Sequence, residues 1–210
     1  MELVALDLEG TGAQDRADEA ILEIALVPIV DRRPDIANSY STLVNPGRII
    51  PRRPWISPGL TNNALASAPP LSDVEPRLAD GLNDKYIVGH NVRVDWRLIH
   101  LRCPSIQPAG LIDTLRLARS ANRGSKKNLS ALVDQFELTD EVNRSAAGSQ
   151  PHRALWDAVA AALVLHALAT RALGPAYSAS ELLAPASILL EPKDKDKLVH
   201  LNETQETLFD

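Results

Sequence analysis

The stretch Leu3-Val4-Ala5-Leu6-Asp7-Leu8-Glu9 ends an apolar run with two carboxylates one residue apart. Side chains along a strand alternate between faces, so Asp7 and Glu9 share one face. Like charges placed that way repel and cost stability. Asp95 follows another short apolar stretch, Tyr86-Ile87-Val88, and falls in the first turn or so of a predicted helix. His152 and Asp157 begin the longest predicted helix, five residues apart and so on neighbouring directions around its axis. Four carboxylates from three segments, with one histidine, suit a site for hard divalent cations. Oxygen ligands favour magnesium or manganese, whereas zinc would want more His or Cys. Taken singly, each has a plainer reading. Asp7 and Glu9 could be a solvated strand end, Asp95 and Asp157 acids favoured by the helix macrodipole, and His152 a helix-start residue with no role.

The elements that must position these residues are legible from pattern. Strands are predicted at Glu2–Leu8, Ile21–Val30 and Ile36–Val44, the last two separated by a hairpin loop at 31–35. Pro28 inside the second run marks a bulge or an edge. A proline-rich loop spans 46–58, and short helices are expected at 62–66 and 71–82. After the strand at 86–88 come a helix over 92–102, a brief strand at 111–112 and helices over 114–121 and from Asn128 to Phe136. The long helix runs from His152 to Leu173, where Gly174-Pro175 stops it. Strands first, then strands mixed with helices, give an α/β class with a mixed sheet flanked by helices. Residues 1–173 form the expected domain. Residues 174–210 are an extension with a small helix within 177–190, a charged link and a flexible tail.

Composition bounds the function. The chain has 210 residues, 45% apolar and 23% charged, ordinary values for a globular protein. No apolar run reads as a membrane span, and the amino terminus begins directly in the strand pattern with no basic leader. Cys103 is the only cysteine, so a reducing cytoplasm fits best. A net charge of −5 argues against a generic electrostatic nucleic-acid binder. Local patterning differs: Arg116, Arg119, Arg123, Lys126 and Lys127 fall in a stretch without acids, and Arg48, Arg52 and Arg53 form a second group. Both read equally as solvated surface or as phosphate-facing patches.

Three motifs in order make the chain recognisable. Asp7-Leu8-Glu9-Gly10-Thr11-Gly12, His90-Asn91-Val92-Arg93-Val94-Asp95 and His152 through Asp157 resemble the three signatures of the DEDDh family of 3′→5′ exonucleases. Gly59-Leu60-Thr61, Asp113-Thr114-Leu115 and Asn128-Leu129-Ser130 are similar to its lesser features. The likeness covers about Leu3 to Leu173. It implies a ribonuclease-H-like fold and hydrolysis of nucleic-acid 3′ ends to nucleoside monophosphates with two Mg2+ or Mn2+ ions. By resemblance, Asp7 would bridge both ions, Glu9 and Asp157 would hold the one that binds the nucleophilic water, and Asp95 the other. His152 would take the water's proton. The resemblance also assigns substrate contact to Gly10, Thr11, Leu60 and Asn91. Gly10 stands where many relatives carry Thr or Ala, Pro58 where many have His, and Val94 where Phe is common.

The likeness leaves single-stranded 3′ ends of DNA or of RNA as substrates, since one contact to a 2′-hydroxyl separates them. DNA proofreading, repair or end trimming is the leading reading. RNA trimming is one alternative and a catalytically silent nucleic-acid or clamp-binding module another, though all five motif residues are intact. Gln205, Leu208 and Phe209 resemble the Gln-x-x-Leu-Phe peptide that binds the bacterial sliding clamp. The other reading of that tail is a short terminal helix packed on the domain.

Overall fold

The computed structural model describes residues 1–121, 126–188 and 190, without the side chains of Arg16 and Ala121. Strand β1 (Leu3–Gly10) runs two residues past the predicted strand, so Asp7 and Glu9 both lie within it. Strand β2 (Ile21–Val30) pairs with it antiparallel, Asp7 opposite Ala25 and Glu9 opposite Glu23, with a register shift after Glu9. The predicted third strand is shortened, and a two-residue strand forms within the predicted hairpin loop before it. Strand β3 (Arg33–Pro34) and strand β4 (Tyr40–Leu43) both pair with β2, and a single 3-10 turn separates them. Pro28 falls in the gap between those two pairings, where its missing N–H leaves no ladder bond unmade.

Helix α1 (Asn62–Ala66) and helix α2 (Leu71–Leu82) follow at their expected places. Strand β5 (Tyr86–Gly89) and strand β6 (Gly110–Asp113) extend the sheet in parallel, linked by helix α3 (Arg93–Arg102). Beyond them lie helix α4 (Thr114–Ala121), helix α5 (Leu129–Gln135), helix α6 (Thr139–Ser145), helix α7 (Ala154–Leu173), helix α8 (Ala179–Ala186) and strand β7 (Ser187–Ile188). The sheet order is β3-β2-β1-β5-β6-β7, with β4 also on β2. It is a mixed sheet covered by helices on both faces. Past Leu173 the chain still contributes, because β7 pairs antiparallel with β6 and α8 packs on α4 and α7.

The two faces differ in a way that serves the site. Val4, Leu6, Ile24 and Leu26 pack with residues of α2 and α3. The other face carries Ala5 and Ala25, buried in one cluster with Ala158 and Ala162 of α7, which packs on β1 and β2. Small side chains on both partners let this helix lie close to the strand that bears Asp7 and Glu9. Trp156, almost fully buried, fixes the rotation of α7, and its indole Nε1–H donates to Asn143 Oδ1 of α6 at 2.9 Å. By length and hydropathy α7 could cross a bilayer, yet most of it is buried among the sheet and helices. It is a core helix.

Candidate metal and catalytic site

Asp7, Glu9 and Asp157 converge at the carboxyl end of β1. Each offers a carboxylate oxygen, and the three oxygens lie within 4.8 Å of one another. Asp95 stands just outside that triplet. Strand β5 stops pairing with β1 at Ala5, and Asp95, from the helix that follows β5, accepts the backbone N–H of Leu8 at 3.1 Å. The second motif is thereby tied to the backbone between the two carboxylates of the first.

The electrostatics are those of crowded anions held out of water. Burial, then the charges of Asp95, Asp157, Glu9 and Glu23, pushes the Asp7 carboxyl well above its ordinary range. Burial likewise raises Glu9 to about 7, opposed by the hydrogen bond from Ser57. Asp95 is raised to about 7 and Asp157 to about 6, both chiefly by burial. Such a cluster favours any bound cation that lets all the carboxylates ionise together. Hard oxygen donors without cysteine fit magnesium or manganese.

His152 is placed differently from expectation. The long helix starts at Ala154, and His152 lies in the preceding turn with φ +64°, its side chain exposed. Its backbone N–H donates to the Asp157 carboxylate, and its ring lies near enough to lower that group. The turn therefore presents the imidazole at the rim of the carboxylate cluster rather than along the helix. Pro151 just before it and the buried start of α7 just after confine the turn.

Three further residues hold the site, and the sequence reading missed them. Glu23, nearly buried and directly opposite Glu9, is a fifth carboxylate. Arg153 binds it with two parallel bonds, Nε to Oε2 at 2.7 Å and Nη2 to Oε1 at 2.8 Å, and the Ala154 N–H adds a third at 3.3 Å. Arg153 is the residue between His152 and the start of α7, so this pair pins both to β2. Ser57, buried in the proline-rich loop, donates its hydroxyl to Glu9 Oε2 at 2.6 Å. A charge inside the run Ile21-Leu22-Glu23-Ile24 was the available signal, because a buried acid requires a partner.

Of the expected substrate contacts, Asn91 keeps an exposed side chain. Its backbone is left-handed at φ +65°, and its N–H is held by Asp113 Oδ1 at 2.9 Å. Thr11 is held by the protein's own bonds. It is fully buried; its N–H reaches Ala20 O, its Oγ1 accepts the Ala20 N–H, both at 3.0 Å, and its carbonyl accepts Trp55 Nε1–H at 3.1 Å. Leu60 is buried with Leu22, Ile50 and Leu65 and presents little to a ligand. At Gly10 a Cβ would meet Leu98 Cδ2 at 3.1 Å and Ala20 O at 3.2 Å. Glycine there relieves packing inside the protein. His90 bonds Thr114 Oγ1 at 2.9 Å and braces the turn after β5.

The basic groups divide. Arg48 and Arg53 are both tied to Asp15, at 3.0 and 2.5 Å, and Arg116 donates to Pro185 O at 3.2 Å. Arg119 is exposed near His90. Arg123 and the tail residues Gln205, Leu208 and Phe209 lie outside the described residues.

Residues 4–165 match the protein family RNase_T, described as Exonuclease. A PolC-type DNA polymerase III of Thermotoga petrophila is 34% identical over 141 residues, 64% of this chain and 10% of that protein. The DNA polymerase III epsilon subunit of Aquifex aeolicus is 32% identical over 154 residues, 68% of this chain and 72% of that subunit. The chain thus spans about a tenth of the PolC-type polymerase and most of the epsilon subunit. Among solved structures, exonuclease X in complex with 5′ overhanging duplex DNA superposes with a TM-score of 0.63 at 28% identity, covering 86% of this chain and 96% of that one.

Proposed function

Since the chain belongs to the RNase_T exonuclease family, we propose that it is a 3′→5′ exonuclease that hydrolyses the terminal phosphodiester of DNA and releases nucleoside monophosphates. The observation that carries this reading is the convergence of Asp7, Glu9 and Asp157 within 4.8 Å beside the turn of His152. The family uses divalent metals, and the donor set here fits them. Asp7, Glu9, Asp157 and Asp95 would hold two Mg2+ or Mn2+ ions, which supply charge stabilisation for the attacking and leaving oxygens of an in-line displacement.

The chain's own residues do the rest. His152 accepts the proton of the attacking water at an imidazole nitrogen, and Asp157 fixes that turn through the His152 N–H. Ser57 orients Glu9, and Glu23 with Arg153 fixes the start of α7. Asn91, whose side chain is exposed at the turn before α3, would meet the terminal nucleotide. DNA is favoured because the relatives are a PolC-type DNA polymerase III and a DNA polymerase III epsilon subunit, and exonuclease X was solved with 5′ overhanging duplex DNA. The free, buried Cys103 agrees with a cytoplasmic setting. For the tail we propose docking of Gln205, Leu208 and Phe209 on the sliding clamp, which unchanged clamp affinity after deletion of 202–210 would refute.

The test is digestion of 3′- and 5′-labelled single-stranded DNA, duplex DNA and RNA with magnesium or manganese. The expected result is stepwise loss of 3′ nucleotides from DNA, abolished in Asp7→Ala and in His152→Ala. Failure of the parent protein to shorten any strand from its 3′ end overturns the reading. Preference for RNA moves the substrate and leaves the chemistry.

A further inference from the structure

Trp55 is a large aromatic left half-exposed, with 50% of its surface open. Such exposure is unusual for tryptophan, and it is not the exposure of a loose loop tip. The indole Nε1–H donates to the Thr11 carbonyl at 3.1 Å. The Arg53 guanidinium lies over the ring, 5.4 Å from its centroid, and Arg53 is itself held by Asp15 at 2.5 Å. The ring edge also fills the place of a side chain at Gly12, where φ is +95° and a Cβ would stand 2.8 Å from Nε1. A bulkier residue at 12 would displace the indole. Two residues further on, Ser57 grips Glu9. The 53–57 segment is therefore anchored at both ends of the Glu9–Gly12 stretch, and the ring sits against the turn that leaves the metal-site strand.

On the reading of the site as a 3′ exonuclease, we infer that Trp55 is a stacking platform for a nucleobase at the 3′ end of the bound strand. Every base presents a π-face, so the platform tolerates sequence while demanding an unpaired base. A rigid ring is suited to this, because its conformational freedom is already lost before the strand arrives. Arg53 takes one face of the indole and adds positive charge where a phosphate chain passes. The site would thereby prefer single-stranded or frayed ends to fully paired ones.

The test compares the parent with Trp55→Ala and Trp55→Phe on single-stranded DNA under magnesium. Trp55→Ala should raise KM by about tenfold or more, while Trp55→Phe, which keeps a ring and loses the N–H bond, should stay within about threefold of the parent. On a strand whose last two nucleotides lack bases, the difference between parent and Trp55→Ala should vanish. If Trp55→Phe falls as far as Trp55→Ala, or if the abasic strand preserves the difference, Trp55 only braces the turn and the inference is overturned. A parent inactive on every substrate would instead overturn the exonuclease reading. In that case binding of oligothymidylate, followed by indole fluorescence in the parent and in Trp55→Phe, still decides the platform.

Discussion

Replacing Arg153 by methionine should damage this protein more than its surface position suggests. The guanidinium gives two charge-assisted bonds to Glu23, a carboxylate 5% exposed and directly across the strand pair from Glu9. Without it Glu23 retains only the long bond from the Ala154 N–H and faces Glu9, Asp7 and Asp157 as an unpaired anion. Removing one partner of a buried pair costs about 3–5 kcal/mol. The Arg153 side chain is a quarter exposed, which reduces the expected loss to about 2–4 kcal/mol. The same charge helps keep Glu9 ionised, so metal affinity at neutral pH should fall as well. Replacing both residues, Glu23→Met with Arg153→Met, removes the orphan anion and should recover at least about 2 kcal/mol of the loss. Urea unfolding with and without EDTA gives the stabilities, and manganese titration calorimetry gives the affinities. An Arg153→Met stability within about 0.5 kcal/mol of the parent, the range of an ordinary surface change, would refute the reasoning. So would a double variant no more stable than the single one.

The carboxylate cluster makes the metal-free protein lose stability as pH rises. Glu9, Asp95 and Asp157 have folded values raised to about 7, 7 and 6, so their contribution is full below pH 4 and is lost through pH 7. For Glu9 alone that is at most about 3 kcal/mol. Thermal melts in EDTA should therefore fall across this window, and magnesium should flatten the fall; a melt independent of pH would count against the cluster. Asp95→Asn keeps an acceptor for the Leu8 N–H while removing a charge that raises Asp7. Its metal-free melting temperature at pH 8 should rise while activity drops at least about tenfold. Ser57→Ala removes the donor that favours ionised Glu9, so the acid limb of the pH–rate profile should move up by about one pH unit. A limb that stays in place would assign Ser57 to packing alone.

The chemistry-bearing residues were legible because they combine local pattern with motif spacing. Asp7 and Glu9 share a face whatever the sheet around them, and the period of two settles that in the sequence itself. The strand β2 matched residue for residue, since a run of ten interrupted only by Glu23 and Pro28, with a turn signal after it, is bounded in the sequence itself. What escaped was set by tertiary neighbours. The 36–44 run is apolar enough for one strand, yet Asp35 caps a 3-10 turn over Ile36–Asn38 with a bond to the Asn38 N–H, which delays the strand to Tyr40. Helix α6 was absent from the pattern because its seven residues bury only Val142 and carry no period long enough to register. The start of α7 moved from His152 to Ala154 because Arg153 takes an extended backbone and turns its side chain to Glu23. Helix propensity alone would have carried His152 inward.

Those misses share a cause that bears on mechanism. Each of the other segments contributing to the site is joined to β1 or β2 by a polar bond beside a carboxylate. Asp95 reaches Leu8, Ser57 reaches Glu9, and Arg153 reaches Glu23. None is a neighbour in sequence, the separations being 87, 48 and 130 residues. The site is thus a junction of long-range contacts in which the anions doing the chemistry also serve as acceptors for the scaffold. A carboxylate that loses its proton strengthens its bond to the scaffold and its repulsion of its neighbours together. A bound cation removes the second effect and keeps the first. Metal binding should therefore tighten the proline-rich loop and the His152 turn at once, although neither Ser57 nor Arg153 offers a ligand. Hydrogen exchange at the amides of residues 55–60 and 152–157 should slow together when manganese is added, with the same midpoint. Independent midpoints for the two segments would mean that the cluster holds metal without organising the residues around it.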